Sequence, residues 1–250
     1  MSAPAASRAA LGGPAALYST IDGTWPAARF HHLGPWLLRE GRGGGKRVSA
    51  ATAIAPVTDD DIAPAETAMR AFGQRPLFMI READDALDAH LAARGYRIVD
   101  PVNAYASPVA ALTDMPMPKV TAFATWEPLA ITTEIWATGG IGPDRVAVMA
   151  RAETKTSILA RWNDKPAGAA FVGLHDGVAM VHAVEVLDHA RRQGVAGWIM
   201  RRAAFWAAGN QAHTMAVLCT QANAPANLLY QRLGFDQLCG YHYRQHPEDT

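Results

Sequence analysis

Residues 178–209, VAMVHAVEVLDHARRQGVAGWIMRRAAFWAAG, determine the fold expected for this chain. Their first nine residues, 178–186, are mostly apolar and rich in valine, which predicts a buried β-strand rather than a helix. Four residues of turn character follow at 187–190. From Val195 onwards, apolar side chains at helical spacing predict an α-helix, and Gly209 with Asn210 provides its stop signal.

The beginning of this helix is suited to binding an anion. The first turn of an α-helix exposes unpaired backbone N–H groups and the positive end of the helix dipole. Gly194 and Ala196 leave room for a bulky phosphate, and two arginines add charge-assisted donors. We therefore predict a pyrophosphate-binding turn made of Arg191, Arg192, Gln193, Gly194, Val195 and Ala196.

A second pattern follows the helix. Residues 214–220 form an apolar run that predicts another strand, and residues 223–235 have the sequence NAPANLLYQRLGF. The motif RxxGxA at 191–196 resembles the R/Q-x-x-G-x-G/A signature of the GNAT superfamily of acyl-CoA-dependent N-acetyltransferases. Residues 223–235 resemble its second signature, N-x-x-A-x-x-L-Y-x-x-L-G-F. Because both motifs occur in the right order and spacing, the resemblance covers about residues 119–250.

The first half of the chain contains a weaker copy of the same pattern. Residues 91–96, LAARGY, repeat the arrangement of residues 230–235, YQRLGF, which indicates an internal duplication. The copy lacks the RxxGxA motif. Its central helix is instead preceded by Asp59, Asp60 and Asp61, which would repel a pyrophosphate, and Leu91 occupies the position of Tyr230.

The resemblance implies an α/β (α+β) fold with two GNAT-like halves. Each half is expected to be a mixed, mostly antiparallel twisted sheet flanked by helices, with splayed central strands in the C-terminal half. We expect a flexible tail at 1–16, a degenerate N-terminal domain at 17–115 and a catalytic domain at 119–250. Within the first half, short strands are predicted at 36–39 and 47–54, joined by a flexible glycine-rich connection.

The resemblance also implies acetyl-CoA as the co-substrate, and no metal. The pantetheine arm is expected to pair with the backbone of Val184, Glu185 and Val186 as an added strand would. Asn223 matches the family's cofactor-side asparagine. Tyr230 stands where the family often has a tyrosine that protonates the CoA sulfur; the alternative is a core aromatic that packs the last helix on the sheet.

Two side chains on the strand at 178–186 are candidates for the base that deprotonates the acceptor amine. His182 has a suitable unperturbed pKa, near 6.5, and some family members carry a histidine at this position; the alternative is a buried, hydrogen-bonded histidine. Glu185 would act through a water molecule or serve as a structural carboxylate. The two side chains point to opposite faces of the sheet unless a bulge intervenes. We prefer His182 at this stage.

Composition limits the partners. The chain has 23 basic and 23 acidic residues and a formal net charge of zero, which does not favour nucleic acid as a partner. With 50% hydrophobic residues it forms a sizeable core. Cys219 and Cys239 are expected to be reduced and buried, and no segment of membrane-spanning length is present, so we predict a cytoplasmic protein without membrane contact. A monomer and a homodimer are both left open.

The function implied is transfer of an acetyl group from acetyl-CoA to a primary amine of a small molecule or peptide, in a ternary complex. A protein that binds or senses acyl-CoA without catalysis is the alternative, since the first half has lost the motif residues. An acyltransferase for a longer acyl group is a third reading. The sequence does not identify the acceptor, because a fold does not determine its substrate.

Overall fold

A computed structural model describes residues 13–119 and 121–247 of the chain. Residues 1–12, most of the predicted tail, lie outside the described residues. The elements of the first half are α1 (Pro14–Thr24), β1 (Arg29–Leu33), β2 (Trp36–Glu40), β3 (Thr52–Ala53), α2 (Asp59–Ala71), β4 (Leu77–Arg81), α3 (Asp85–Ala93) and β5 (Arg97–Pro108).

The described part of the second half has six strands and four α-helices and ends in a long strand. Its elements are β6 (Ala122–Thr125), α4 (Ala130–Thr138), α5 (Pro143–Arg151), β7 (Thr154–Trp162), β8 (Lys165–His175), β9 (Val178–Val186), α6 (Val195–Gly209), β10 (Thr214–Thr220), α7 (Ala224–Arg232) and β11 (Asp236–Gln245).

Eight strands form one continuous mixed sheet in the order β4-β11-β5-β10-β9-β8-β7-β6, and β1-β2-β3 form a small second sheet. Both halves contribute to the large sheet. Strand β5 lies between β10 and β11, and β11 lies between β4 and β5, with antiparallel pairing at each of these contacts. Each half therefore inserts its last strand into the other half's part of the sheet. The mixed fold with two GNAT-like halves is confirmed.

The duplicated motif forms the same local structure in both halves. At the end of α3, the Tyr96 N–H donates to the Leu91 carbonyl over 3.0 Å, and at the end of α7 the Phe235 N–H donates to the Tyr230 carbonyl over 3.0 Å. The glycine between them has a positive φ in both copies, 86° at Gly95 and 80° at Gly234. This is the backbone arrangement of a glycine-terminated helix, and it explains why both copies keep a glycine there.

The sheet buries side chains on both faces. Helices α6 and α7 cover one face, which we call the α6 face, and they pack there on Ala170, Val172 and Val181. Helices α1, α4 and α5 cover the other, the α4 face, where Phe171 and Met180 are fully buried. The site described below lies between these two faces, at the end of the sheet where β9 and β10 no longer pair.

Two details of the first half differ from the expected elements. Residues 47–54 were expected to be a strand, but they contain a 3-10 turn (Lys46–Val48) and only a two-residue strand, because the Ala50 N–H folds back onto the Lys46 carbonyl over 3.0 Å. At the N-terminus, α1 begins at Pro14, within the range expected for the tail. Proline lacks a backbone N–H, but an N–H in the first turn of a helix has no acceptor within the helix, so a proline there removes no hydrogen bond.

Candidate functional site

Helix α6 begins with an open turn. Its cap, Gly194, has φ 78° and ψ 3°, a left-handed conformation that favours glycine. No heavy atom lies within 4 Å of the position that a Cβ would take at Gly194 or Gly197. The first backbone hydrogen bond of the helix joins the Trp198 N–H to the Gly194 carbonyl, at 3.2 Å. Within the described chain, the N–H groups of Val195, Ala196 and Gly197 have no backbone acceptor, so the turn presents donors to an anion.

The arginines next to this turn have different surroundings. Arg191 Nε donates to the Val186 carbonyl over 3.2 Å and its guanidinium pairs with Asp188 at 2.9 Å, which ties the turn to the end of β9. Arg192 has a φ of 61° and is exposed, as is Gln193. Arg191 thus contributes positive charge while it holds the turn in place, and Arg192 adds a second exposed positive charge beside the turn.

A gap opens beside this turn because β9 and β10 stop pairing. Their parallel register runs only from Val178 opposite Thr214 to Val181 opposite Val217. The next residues of β9 contain a bulge at Ala183, whose φ is 52° and whose carbonyl accepts a hydrogen bond of 2.9 Å from Trp136 Nε1. The bulge turns β9 away from β10, which is the expected splay of the central strands.

Tyr230 lies on α7 at the α6 face of this gap. Its ring packs against Tyr105 and Phe235, with centroids 6.0 and 5.9 Å apart, and only 4% of the residue is exposed. Burial raises the pKa of its phenol above the ordinary value, so that the hydroxyl keeps its proton at neutral pH. No hydrogen bond from the described residues engages that hydroxyl. Tyr230 is therefore both a core aromatic and a potential proton donor.

Asn223 caps helix α7. Its side chain accepts a 3.2 Å hydrogen bond from the Ala226 N–H, which is the usual role of asparagine at this position. Asn223 lies three residues after the end of β10, at the start of α7.

Glu185 and His182 lie on the same face of the sheet. The bulge shifts the register between β8 and β9, so that Phe171 faces His182 and Ala169 faces Glu185; both β8 residues belong to the α4 face. Two residues three positions apart on a regular strand would point to opposite faces. The bulge at Ala183 brings the side chains of His182 and Glu185 to the same face. Both side chains therefore lie on the α4 face.

The Glu185 carboxylate is half-buried and packs against Gly139, at the end of α4. It has no hydrogen-bonding or ion-pair partner among the described residues. Burial raises its pKa above the ordinary value, and the charge of Arg191 opposes this shift. A carboxylate in this state is a better proton acceptor than an exposed one at neutral pH.

His182 is buried, with 5% exposure, and both ring nitrogens are occupied. Arg47 Nη1 lies 2.9 Å from Nδ1, which must accept because arginine can only donate. Nε2 then carries the proton and donates to Thr24 Oγ1 at 2.9 Å, and the threonine hydroxyl donates to the Thr20 carbonyl at 2.7 Å. Burial and the Arg47 charge hold the pKa of His182 well below its ordinary value, so the ring is neutral.

Residues 122–235 match the family model of the acetyltransferase (GNAT) family. The chain contains a GNAT acetyltransferase domain. The matched region runs from β6 to the first residue after the α7 turn, and so includes the helix α6 start, the gap between β9 and β10, and Tyr230.

Solved structures of low sequence identity share the fold of most of the chain. A GCN5-related N-acetyltransferase from Kribbella flavida is 22% identical, with a TM-score of 0.69 over 94% of this chain and 96% of its own. A functionally unknown conserved protein from Staphylococcus epidermidis has a TM-score of 0.68 at 11% identity, covering 89% and 95%. A tandem GNAT protein from the clavulanic acid biosynthesis pathway has a TM-score of 0.57 at 13% identity, covering 78% and 74%.

No curated protein matches the sequence. The helices of the described chain include none that is long and apolar enough to span a membrane. Between residues 13 and 247, as far as they are described, no group of three or more His, Cys, Asp or Glu side chains is placed to hold a metal ion. Cys219 and Cys239 are buried and form no disulfide.

The GNAT domain is completed by residues that the sequence did not single out. Asn227 accepts hydrogen bonds from Asn103 Nδ2 at 3.1 Å and Tyr105 Oη at 2.8 Å, which joins α7 to β5 of the first half. The Asn227 amide in turn donates to the Thr220 carbonyl at the end of β10, over 2.9 Å. Asn103 is one of several polar residues in β5, so its polarity does not single it out, and no local pattern indicates that β5 lies beside β10.

A cavity of about 550 Å³ lies away from this site, in the first half. It is bounded by α1 and by the ends of β3 and β4, and its lining includes Tyr18, Arg39 and Met79. The charge of Arg39 is already neutralised there by Asp22, at 2.7 Å, and its guanidinium also donates to the Ala50 carbonyl at 3.0 Å. We place the candidate active site at the GNAT domain because only there do an open helix start and a proton donor meet at one gap.

Proposed function

We propose that this protein is an N-acetyltransferase that moves an acetyl group from acetyl-CoA to a primary amine of a small molecule or peptide. The observation that supports this most is the open start of α6, with free N–H groups at Val195 and Ala196, next to the gap between β9 and β10. The family match over the same residues gives acyl transfer as the reaction class.

The residues present fit acetyl-CoA. Its pyrophosphate would be held by the backbone N–H groups of the α6 start, with Arg191 and Arg192 supplying positive charge. Its pantetheine arm would pair with the backbone of Val184, Glu185 and Val186, which β10 leaves free. When bound, acetyl-CoA supplies an activated thioester. The protein's contribution is to hold that thioester and the amine together, which is worth roughly 7–11 kcal/mol in favourable cases.

Tyr230 is proposed as the general acid. Its phenol is protonated at neutral pH, its hydroxyl has no described protein partner, and it lies on the α6 face, the same side as the pyrophosphate-binding turn. A proton held at Tyr230 Oη is available to the sulfur of the leaving group. General acid catalysis of this kind contributes about 10²–10⁴-fold to a rate.

Glu185 is proposed as the base, directly or through a water molecule, and not His182. An alkyl ammonium has a pKa near 10.4, so a group on the acceptor side must remove a proton before the amine can attack. Glu185 has a free, half-buried carboxylate on the α4 face. His182 has neither nitrogen free, since Nδ1 accepts from Arg47 and Nε2 donates to Thr24.

Calorimetry with acetyl-CoA, followed by a CoA-release assay on a panel of primary amines, tests the proposal. We expect acetyl-CoA to bind and to be consumed in the presence of an acceptor amine. A ligand present at 100 times its Kd would also stabilise the fold by about 2.7 kcal/mol, which thermal unfolding detects. Absence of binding at millimolar acetyl-CoA would contradict the proposal, and binding without consumption by any amine would contradict the catalytic part.

A further inference from the structure

Arg47 reaches the acceptor side of the GNAT domain from the first half of the chain. It lies in the 3-10 turn between β2 and β3 and forms its only side-chain hydrogen bond in the described chain with His182 of β9. Its guanidinium also stacks over the Trp25 ring, 5.6 Å from the centroid. Trp25 and His182 both belong to the α4 face, so Arg47 lies on the same side of the sheet as the Glu185 carboxylate.

The charge of Arg47 is not neutralised by the described residues. No carboxylate pairs with it, and its Nε is buried without a hydrogen-bonding partner. Arg39 and Arg244 are more deeply buried than Arg47, and each binds a carboxylate, Asp22 or Asp88, through two nitrogens. Arg202 is partly buried like Arg47, and its Nε also has no hydrogen-bonding partner in the described chain. Leaving a buried donor unsatisfied is costly, so an unpaired guanidinium at this place indicates a ligand that completes it.

The neighbours of Arg47 hold it in place without satisfying it. Thr20, Thr24 and His182 form a chain of hydrogen bonds that ends at Arg47 Nη1, and this chain fixes the acceptor nitrogen of the imidazole toward the guanidinium. A neutral histidine orients an arginine but offers no counter-charge. The direction of these hydrogen bonds gives the buried histidine a role, orienting Arg47, although it is not free to act as a base.

Two opposite charges therefore remain on the α4 face near the gap: the guanidinium of Arg47 and the carboxylate of Glu185. Arg47 contacts His182, which lies three residues before Glu185 on β9. In a strand, this spacing corresponds to at most about 10 Å between the Cα atoms of His182 and Glu185. The bulge at Ala183 lies between these two residues and brings their side chains to the same face. Lys46, the neighbouring cation, is already paired with Asp100 at 2.6 Å.

We propose that the acceptor is an amino-carboxylate, such as a free amino acid, whose carboxylate binds Arg47 while its amine faces Glu185. This inference rests on the proposed N-acetyltransferase function and names its class of acceptor. A planar guanidinium is well suited to carboxylate, which it binds with two parallel hydrogen bonds. His182 and Thr24 are positioning residues, because they act on the acceptor only through Arg47.

The test compares amino acids with their carboxamides, which keep the amine and remove the negative charge. Amino acids with one to five carbon atoms between the two groups, and the matching amides, are assayed with saturating acetyl-CoA. We expect at least one acid to have a kcat/KM about tenfold or more above that of its amide, as loss of a charge-assisted hydrogen bond predicts. Arg47→Gln should abolish this preference by raising KM for the acid, and Arg47→Lys should restore part of it.

Arg42→Gln serves as the matched control, since Arg42 lies in the same connection but is 57% exposed and pairs with Glu40. It should keep the preference for acids. Acetyl-CoA affinity should be unchanged in both Arg47 variants, because the α6 start lies on the other face of the sheet. If Arg47→Gln fails to fold, the inference is tested by comparing the acid-to-amide ratio of kcat/KM between the unmodified protein and Arg47→Lys. The ratio should be lower in Arg47→Lys, and an unchanged ratio would contradict the inference.

Equal activity on acids and amides, or a preference for acids that survives Arg47→Gln, would overturn the inference. So would acetyl-CoA binding without acetylation of any acid in the panel. Failure of acetyl-CoA to bind at all would instead refute the proposed function, so the two failures are distinguishable. A purely structural role of Arg47 would lower activity on acids and amides alike, which the ratio detects.

Discussion

Helices α2 and α6 begin at corresponding places in the two halves, but their first turns are built differently. The start of α2 carries Asp59, Asp60 and Asp61, and the Asp61 carboxylate accepts hydrogen bonds from the Thr58 N–H at 2.8 Å and the Thr58 hydroxyl at 2.6 Å. These hydrogen bonds hold the pKa of Asp61 below its ordinary value. The start of α6 has a bare glycine cap, free N–H groups and two arginines. One helix start binds its own carboxylates, and the other is left open to an anion from outside.

Under the proposed function, a few residues at the motif positions distinguish the second half from the first. The helix ends at Gly95 and Gly234 share the same backbone hydrogen bonds, so the duplicated fold is preserved. At the motif position, the first half has the fully buried Leu91 and the second has Tyr230. An aliphatic side chain packs in a core as a phenol ring does but has no proton to donate, and three carboxylates at the start of α2 would repel an anion.

The largest expected effect comes from making the second half resemble the first at its motif tyrosine. Tyr230→Phe keeps the ring packing with Tyr105 and Phe235 but removes the hydroxyl proton. We expect kcat to fall by about 10²–10⁴-fold while the Kd for acetyl-CoA stays within about twofold. Steady-state kinetics at neutral pH together with calorimetry measure both. An unchanged kcat would show that Tyr230 is only a core aromatic.

Transferring the acidic character of the α2 start to α6 is expected to have the next largest effect. In Ala196→Asp/Gly197→Asp, two carboxylates occupy the first turn where the pyrophosphate would bind. We expect acetyl-CoA affinity to fall by about 100-fold through charge repulsion, while thermal stability stays equal or rises, since acidic residues favour a helix N-terminus.

The control for this variant is Ala196→Asn/Gly197→Asn, which has nearly the same volume without charge. It should lose much less affinity than the aspartate pair. If both pairs bind acetyl-CoA as tightly as the unmodified protein, the α6 start is not the anion site, and the contrast with α2 has no functional meaning.

A smaller effect is expected from the acceptor side. Glu185→Gln removes the proposed base, and we expect kcat/KM to fall by about 10–100-fold at neutral pH. Because burial raises the pKa of Glu185, the unmodified enzyme should lose activity as the pH drops toward that raised value and the carboxylate becomes protonated. The pH profile of Glu185→Gln should lack this acidic limb. If the pH profile of Glu185→Gln kept the acidic limb, that limb would arise from the titration of another group.

The smallest effect concerns stability. The pKa of His182 is held well below its ordinary value by burial and by Arg47, so the folded state binds fewer protons than the unfolded one. The stabilising contribution of the neutral ring is thus fully present above pH about 6.5 and is lost progressively as the pH falls below it. Chemical denaturation between pH 7 and 5 should show a shallower decline for His182→Gln than for the unmodified protein.

Most of the secondary structure around the site could be predicted from the two sequence motifs. The strand at 178–186, the helix after Gly194 and the glycine-ended helix at Tyr230 follow from local patterns, and the structure places each where the patterns predict it. The glycine-rich connection at 41–45 shows the limit. It was expected to be flexible, yet Gly43 and Gly44 pack closely against Asp144 and Val148 of α5. A glycine pattern indicates conformational freedom, and it cannot indicate which distant helix uses the space.

The sequence by itself determined the glycine-capped helix start that we propose binds an anion, the absence of such a start in the first half, and the duplicated helix ends, because each depends on residues adjacent in the chain. Tertiary structure decided the rest. It inserted β5 and β11 into each other's half, brought His182 and Glu185 to one face through the bulge at Ala183, and placed Arg47 beside a strand far from it in sequence. These arrangements depend on pairing between distant segments, and the energy of such pairing is not encoded in any local pattern.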